Sequence, residues 1–261
     1  YWVSYPEMVR VAGATPVIIE TTEETGFKIT PETFSQHITP RTKFLILNSP
    51  SNPTGSVYSK TEIMVLAEIV LEHRIGVISD EIYDKLVYDG QRSVSIASLG
   101  PEIKAKTLVV NGVSKAYAMT GWRIGYTSGD KTIIEAISNL QDHSTSNPTS
   151  IAQRAALAAL TGPQEAVSQM AREFSKRRDY MIERLNRIPG ITCLKPEGAF
   201  YAFPNVSGII GRSYKGRRIG SSMDLTELLL TEARVAVLPG SPFGAENYLR
   251  LSYATSMKNI A

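Results

Sequence analysis

The sequence predicts an α/β protein, a three-layer, mostly parallel sheet covered by helices, followed by a smaller C-terminal α+β domain. Two observations carry this. Short apolar runs without polar alternation, the pattern of strands buried on both faces, are separated by stretches with helical spacing. After Pro189-Gly190 the pattern changes to sparse short strands around one helix.

The elements follow in order. Residues 15–20 (TPVIIE) read as a strand, 31–38 as a short helix and 43–48 (KFLILN) as a near-continuous apolar strand. Residues 59–73 have apolar positions at helical spacing, with Ser59 as N-cap. Residues 75–79 (IGVIS), 107–111 (TLVVN) and 124–128 continue the strand series. Residues 130–140, 148–160 and 163–188 read as helices; the charged cluster at 172–179 marks an exposed face of the last, and Pro189-Gly190 stops it. Strands at 199–203, 235–238 and 248–253 then surround a helix at 221–233. The expected division is a large domain over 1–165 and a small domain over 166–261. Both ends read as cuts, the first inside the large domain and the second where a helix begins. There are no internal repeats.

Composition excludes several classes of function. Apolar residues make up 43% of the chain and charged residues 20%, ordinary values for a soluble globular protein. The 28 Lys and Arg only slightly exceed the 25 Asp and Glu, and they are dispersed. The densest basic stretch, RSYKGRR at 212–218, reads as a solvated loop, so neither nucleic acid nor membrane is an expected partner. The single cysteine, Cys193, permits no internal disulfide and fits a reducing compartment. His37, His73 and His143 are far apart and lack partners at metal-ligand spacing, so no metal site is expected. No apolar run is long enough to span a bilayer, and no stretch has the makeup of a signal peptide.

Three loops that follow buried strands gather the polar residues, and the carboxyl ends of strands are where open α/β sheets bind ligands. The first, NSPSNPTG at 48–55, is a rigid turn that could present the amide of Asn52. The second, SDEIY at 79–83, ends a strand in two carboxylates. One of these, Asp80, either caps a helix or meets a cation such as a protonated heterocycle nitrogen, while Glu81 is expected to face structure or solvent. The third, GVSKAYAMTGWRIG at 112–125, places Lys115 at a strand end. Desolvation and nearby cations there would lower its pKa and make it a nucleophilic amine. Arg123, eight positions on, offers a planar cation for a phosphate.

Each loop alone is compatible with ordinary surface chemistry. Together, and in the order aromatic, NPTG, DE-x-Y, SK…R, R-x-S, they resemble the class I and II pyridoxal-phosphate aminotransferases over essentially the whole chain. The segments YWVSYPEM, MTGWRIGY and RLSYATS bring it closest to the bacterial aspartate and aspartate/prephenate branch.

The resemblance implies the fold-type-I transferase architecture, pyridoxal 5′-phosphate as cofactor, and transamination between an L-amino acid, aspartate first, and a 2-oxo acid, 2-oxoglutarate first. It implies that Lys115 holds the cofactor as a Schiff base and shuttles the substrate Cα proton. Asp80 would pair with the pyridinium nitrogen. Asn52 and Tyr83 would bond the ring oxygen, Trp2 would stack on the ring, and Ser114 and Arg123 would hold the phosphate. Arg250, with Asn52, would bind the substrate, forking its α-carboxylate. Without the family context, Trp2 reads as a core aromatic and Arg250 as an exposed edge-strand arginine. The resemblance also implies a cytoplasmic homodimer working in amino-acid metabolism.

Two departures stand out. Many relatives carry a phosphate-binding serine where this chain has Gly112, and adjacent Ser114 is the candidate substitute. The family's N-terminal arm and phosphate-binding helix start have no counterpart in the sequence. Other readings are a β-lyase or synthase on the same fold, or a catalytically inactive domain.

Overall fold

The computed structural model describes residues 1–261. In chain order the helices are α1 (Ser4–Val11), α2 (Pro31–Gln36), α3 (Lys60–Glu72), α4 (Pro101–Lys106), α5 (Lys131–Asp142), α6 (Ser150–Thr161), α7 (Glu165–Asn186), α8 (Ser222–Ala233) and α9 (Met257–Ile260). The strands are β1 (Phe44–Asn48), β2 (Gly76–Asp80), β3 (Thr107–Gly112), β4 (Gly125–Ser128), β5 (Tyr201–Ala202), β6 (Ser213–Tyr214), β7 (Arg217–Arg218), β8 (Leu238–Pro239) and β9 (Leu249–Ser252). Contacts divide the chain into two units, neither contiguous: Ile29–Pro50 with Val57–Ala171, and Tyr1–Lys28 with Ser51–Ser56 and Arg172–Ala261.

The first of these units is built on a sheet of order β1-β2-β3-β4. β1, β2 and β3 run parallel and β4 is antiparallel to β3, giving the mostly parallel α/β sheet that the apolar runs predict. Register pairs Asn48 with Asp80 and Asp80 with Val110, so three strands reach their carboxyl ends side by side. α3 forms where expected. The Ser59 hydroxyl accepts from Glu62 N and the Glu62 carboxylate accepts from Ser59 N, a reciprocal cap that satisfies two orphan amides. Its apolar face buries Ile63, Leu66, Ala67 and Val70. Asp130 caps α5 by accepting from Thr132 N and Ile133 N. Ala152 and Ala156 of α6 pack against Val113 and Ile124, which flank the Lys115 loop on both sides.

The second unit holds a three-stranded antiparallel sheet of order β5-β9-β8. Leu249 of β9 shares a core with Val206, Ile219 and Leu225 of α8. Ile182 of α7 packs with Cys193 and Ala202. Burial pushes the Cys193 thiol up to about 12, which leaves it the inert small hydrophobe of a core. Phe27 explains why Tyr1–Lys28 belongs here. Its ring stands edge-on to Phe203 and Tyr248, at 5.8 and 5.5 Å between centroids, and those two rings stack on each other at 4.9 Å. α7 contributes its first residues to one unit and the rest to the other.

Several expectations need correction. The charged cluster at 172–179 is not an exposed face throughout, because Arg178 within it is 0% exposed and takes part in the interior. Residues 15–20 form no strand: β-rich composition makes a strand only where a neighbouring backbone offers a ladder, and here Val17 is 62% exposed with no pairing. β9 is the central strand of its sheet, so Arg250 is not an edge-strand arginine. The basic stretch at 212–218 is an exposed hairpin, β6 and β7, with Lys215 paired to Glu232 and Arg217 to Glu227.

Candidate active site

The expected site residues fall into two groups, one per unit. Asp80, Tyr83, Ser114, Lys115 and Arg123 lie in the unit with the parallel sheet. Trp2, Asn52 and Arg250 lie in the other.

Asp80 ends β2, and no helix starts after it. Its Oδ1 accepts from Ile82 N at 3.1 Å, an Asx turn that aims the carboxylate away from the strand. Its carbonyl accepts from Asn48 Nδ2 at 3.1 Å and Ser49 N at 3.3 Å, so the end of β1 holds the end of β2. Glu81 turns the opposite way, as expected. Its Oε1 accepts from the hydroxyls of Ser79 at 2.9 Å and Ser95 at 2.6 Å. Burial pushes its carboxyl above the ordinary range, and the nearby Asp84 and Asp80 charges push the same way.

β3 ends in Gly112, after which the chain turns through Ser114 and half-buried Lys115. The Lys115 carbonyl accepts from Ala118 N at 3.2 Å. Lys115 Nζ stands over the buried Tyr83 ring, 5.9 Å from its centroid, so the structure brings this amine and phenol together. Arg123 is exposed, with a left-handed backbone (φ 54°) and Nη1 donating to Thr120 O at 3.0 Å. The donor set of this unit comprises a carboxylate, a phenol, an amine, a hydroxyl and a guanidinium. It matches a group that carries a ring cation, a phenolic oxygen, an aldehyde and a phosphate.

Gly112 is tight for another reason. A Cβ there would lie 2.9 Å from Ile124 O and 3.2 Å from Gly125 Cα. The serine of many relatives is therefore not accommodated without moving β4.

In the other unit, Arg250 projects from β9 between two rings, with its guanidinium carbon 4.6 Å from the Tyr201 centroid and 4.8 Å from that of Phe243. Its Nη1 donates to Oδ1 of buried Asn52 at 2.9 Å. Stacking occupies the faces of the guanidinium plane and fixes the edge along which its donors point, the geometry for forking a carboxylate. Trp2 is half-buried, edge-on to Tyr5 at 5.4 Å. Sequence reading missed Asn48, Tyr201 and Phe243. The GAFY segment containing Tyr201 carries the only local hint, an aromatic pair following a glycine.

Comparison with known proteins shows the family. The family described as aminotransferase class I and II matches residues 1–261. The chain is 54% identical over 257 residues to an aspartate aminotransferase of Geobacillus stearothermophilus, covering 98% of this chain and 64% of that protein. It is 49% identical to a probable aspartate/prephenate aminotransferase of Rickettsia bellii, covering 100% of this chain and 66% of the relative. The crystal structure of the aspartate aminotransferase from Rhizobium meliloti superposes with a TM-score of 0.95 at 45% identity, over 100% of this chain and 66% of that one. An aromatic aminotransferase from Pyrococcus horikoshii superposes at 0.92 with 41% identity, over 99% of this chain and 68% of that one. The chain thus spans about two thirds of the length of the relatives it matches.

Proposed function

Since the chain belongs to the class I and II aminotransferase family, we propose that it forms the greater part of an enzyme that moves an amino group from an L-amino acid, aspartate first, to a 2-oxo acid, 2-oxoglutarate first. The observation that carries this reading is the meeting of Lys115 and Tyr83 in the unit where Asp80 ends β2. The cofactor in this reading is pyridoxal 5′-phosphate, and the residue types of this unit suit its groups.

When bound, the cofactor supplies an electrophilic aldehyde and a ring that accepts the electrons left behind when the substrate Cα loses its proton. The chain's own residues do the rest. Lys115 Nζ would hold the cofactor aldehyde and, when free, would take the proton from the substrate Cα. The Asp80 carboxylate keeps a ring nitrogen protonated, its orientation set by the Ile82 amide. The Tyr83 hydroxyl and the Asn52 amide would donate to the ring oxygen, and Trp2 would cover a ring face. Arg123 and Ser114 would bind the phosphate, with Ser114 serving where Gly112 leaves no side chain. Arg250 forks the substrate α-carboxylate, its plane clamped by Tyr201 and Phe243. The same reading includes a homodimer and a cytoplasmic setting. Separately, no helix is long and apolar enough to cross a membrane.

The test is spectroscopic. Holoenzyme expressed from the whole gene shows a visible cofactor band that aspartate shifts to the pyridoxamine form and 2-oxoglutarate restores. Borohydride reduction followed by peptide mapping locates the label on Lys115, and Lys115→Ala loses both the label and turnover. Label on another lysine sinks the assignment, and a band that aspartate never converts sinks transamination.

A further inference from the structure

Arg178 is among the most deeply buried side chains of the molecule, with 0% exposure, and none of the chemistry above uses it. A guanidinium withdrawn from water is retained only where its donors are met. Here Nε donates to Asp179 Oδ1 at 3.0 Å and Nη2 to Ser175 Oγ at 3.1 Å, while Nη1 reaches across to the carbonyl of Pro196 at 2.9 Å. The charge is thus compensated on its own helix by Asp179, and Nη1 binds a loop.

That loop touches the turn that carries Asn52. Glu197 N and Gly198 N both donate to Gly55 O, at 3.0 and 2.8 Å. Gly55 sits at φ +71°, and a Cβ there would lie 2.5 Å from Pro196 Cβ and 2.7 Å from Gly198 O, so the two segments touch backbone to backbone. Gly55 N in turn donates to Ser51 O at 2.9 Å, closing the turn that presents Asn52. Asn52 then accepts from Arg250. The same loop continues through Ala199, whose carbonyl accepts from the Tyr253 hydroxyl at 3.4 Å, to Tyr201, one of the two rings that clamp Arg250. Two routes therefore lead from the Pro196 loop to the substrate-facing guanidinium, one through Gly55 and Asn52 and one through Tyr201. Every link lies in the same unit.

We propose that Arg178 is a positioning residue for substrate-carboxylate binding: by pinning the Pro196 carbonyl it sets the Gly55 turn, and through it the Asn52 amide that orients Arg250. This rests on the reading of Arg250 given under Proposed function. The Asn52 and Arg250 benchmarks in the experiment separate the two.

The experiment titrates succinate, an unreactive dicarboxylate, into the holoenzyme by calorimetry, with cofactor occupancy followed by visible absorbance. Arg250→Lys and Asn52→Ala serve as benchmarks, each expected to weaken succinate by about tenfold or more. Arg178→Met and Gly55→Ala are expected to weaken it by about three- to tenfold, raising KM for the amino donor more than they lower kcat, with cofactor occupancy at the wild-type level. Arg178→Lys keeps a cation and is expected to fall between wild type and Arg178→Met. If Arg178→Met does not fold, Arg178→Lys and Gly55→Ala decide. Benchmarks that lose succinate while these variants bind it as wild type overturn the positioning role. Benchmarks that bind succinate normally overturn the reading of Arg250, and this inference with it.

Discussion

Two neighbouring carboxylates, Asp80 and Glu81, are turned to opposite tasks by what meets them. Asp80 is oriented by the Ile82 backbone amide, whereas Glu81 is buried against two serine hydroxyls. For Glu81, burial outweighs those hydrogen bonds and raises its carboxyl above the usual 4.5. The folded chain therefore holds this proton more tightly than the unfolded one. The stability it contributes is full below the unfolded value and is lost as pH rises through the folded value. Glu81→Gln keeps an acceptor for Ser79 and Ser95 and has no proton to lose. Its melting temperature is expected to equal or exceed that of wild type at pH 7, with the gap closing near about pH 4. A melting temperature several degrees below wild type at pH 7 would mean that the charged form is the stabilised one.

At the scale of elements, the β3–β4 ladder decides what the lysine loop can carry. Gly112 pairs with Gly125, so two backbones approach without side chains between them just before the chain turns to Lys115. Gly112→Ser restores the residue found in many relatives, yet its Cβ would meet backbone atoms of Ile124 and Gly125 that cannot swing away. We expect it to cost about 1–3 kcal/mol, the usual penalty of overpacking, read as a lower urea midpoint at unchanged slope. An unchanged midpoint would show that β4 yields freely. The helices follow the sequence more closely. Ser59 caps its helix as expected, and Asp130 and Ser221, read from the sequence only as helix starts, cap theirs, because a cap is satisfied by amides two or three residues away.

At the scale of the whole molecule, the chain forms two units with separate cores, and each holds one of the two tryptophans: Trp2 with Tyr1–Lys28 and Trp122 with Val57–Ala171. Chains with more than one core commonly depart from two-state unfolding. In the cofactor-free protein, Trp2→Phe and Trp122→Phe are therefore expected to give fluorescence transitions at different urea concentrations. Coincident midpoints in both variants would show a single cooperative unit.

The features legible from residue order alone are local. The parallel strands and the strand-end loops bearing Asn52, Asp80 and Lys115 follow from apolar runs, turn residues and caps whose causes lie within a few positions. The family follows from the same motifs and their order. The tertiary structure decided what depends on distant partners. It left 15–20 without a ladder and brought Ser51–Ser56 into the unit of the C-terminal residues. It put Arg250 on a central strand between Tyr201 and Phe243, and buried Arg178 beneath the Pro196 loop. The physical reason is range: backbone preferences act between neighbours in sequence, whereas packing and the satisfaction of a buried charge depend on which remote segment arrives to meet it.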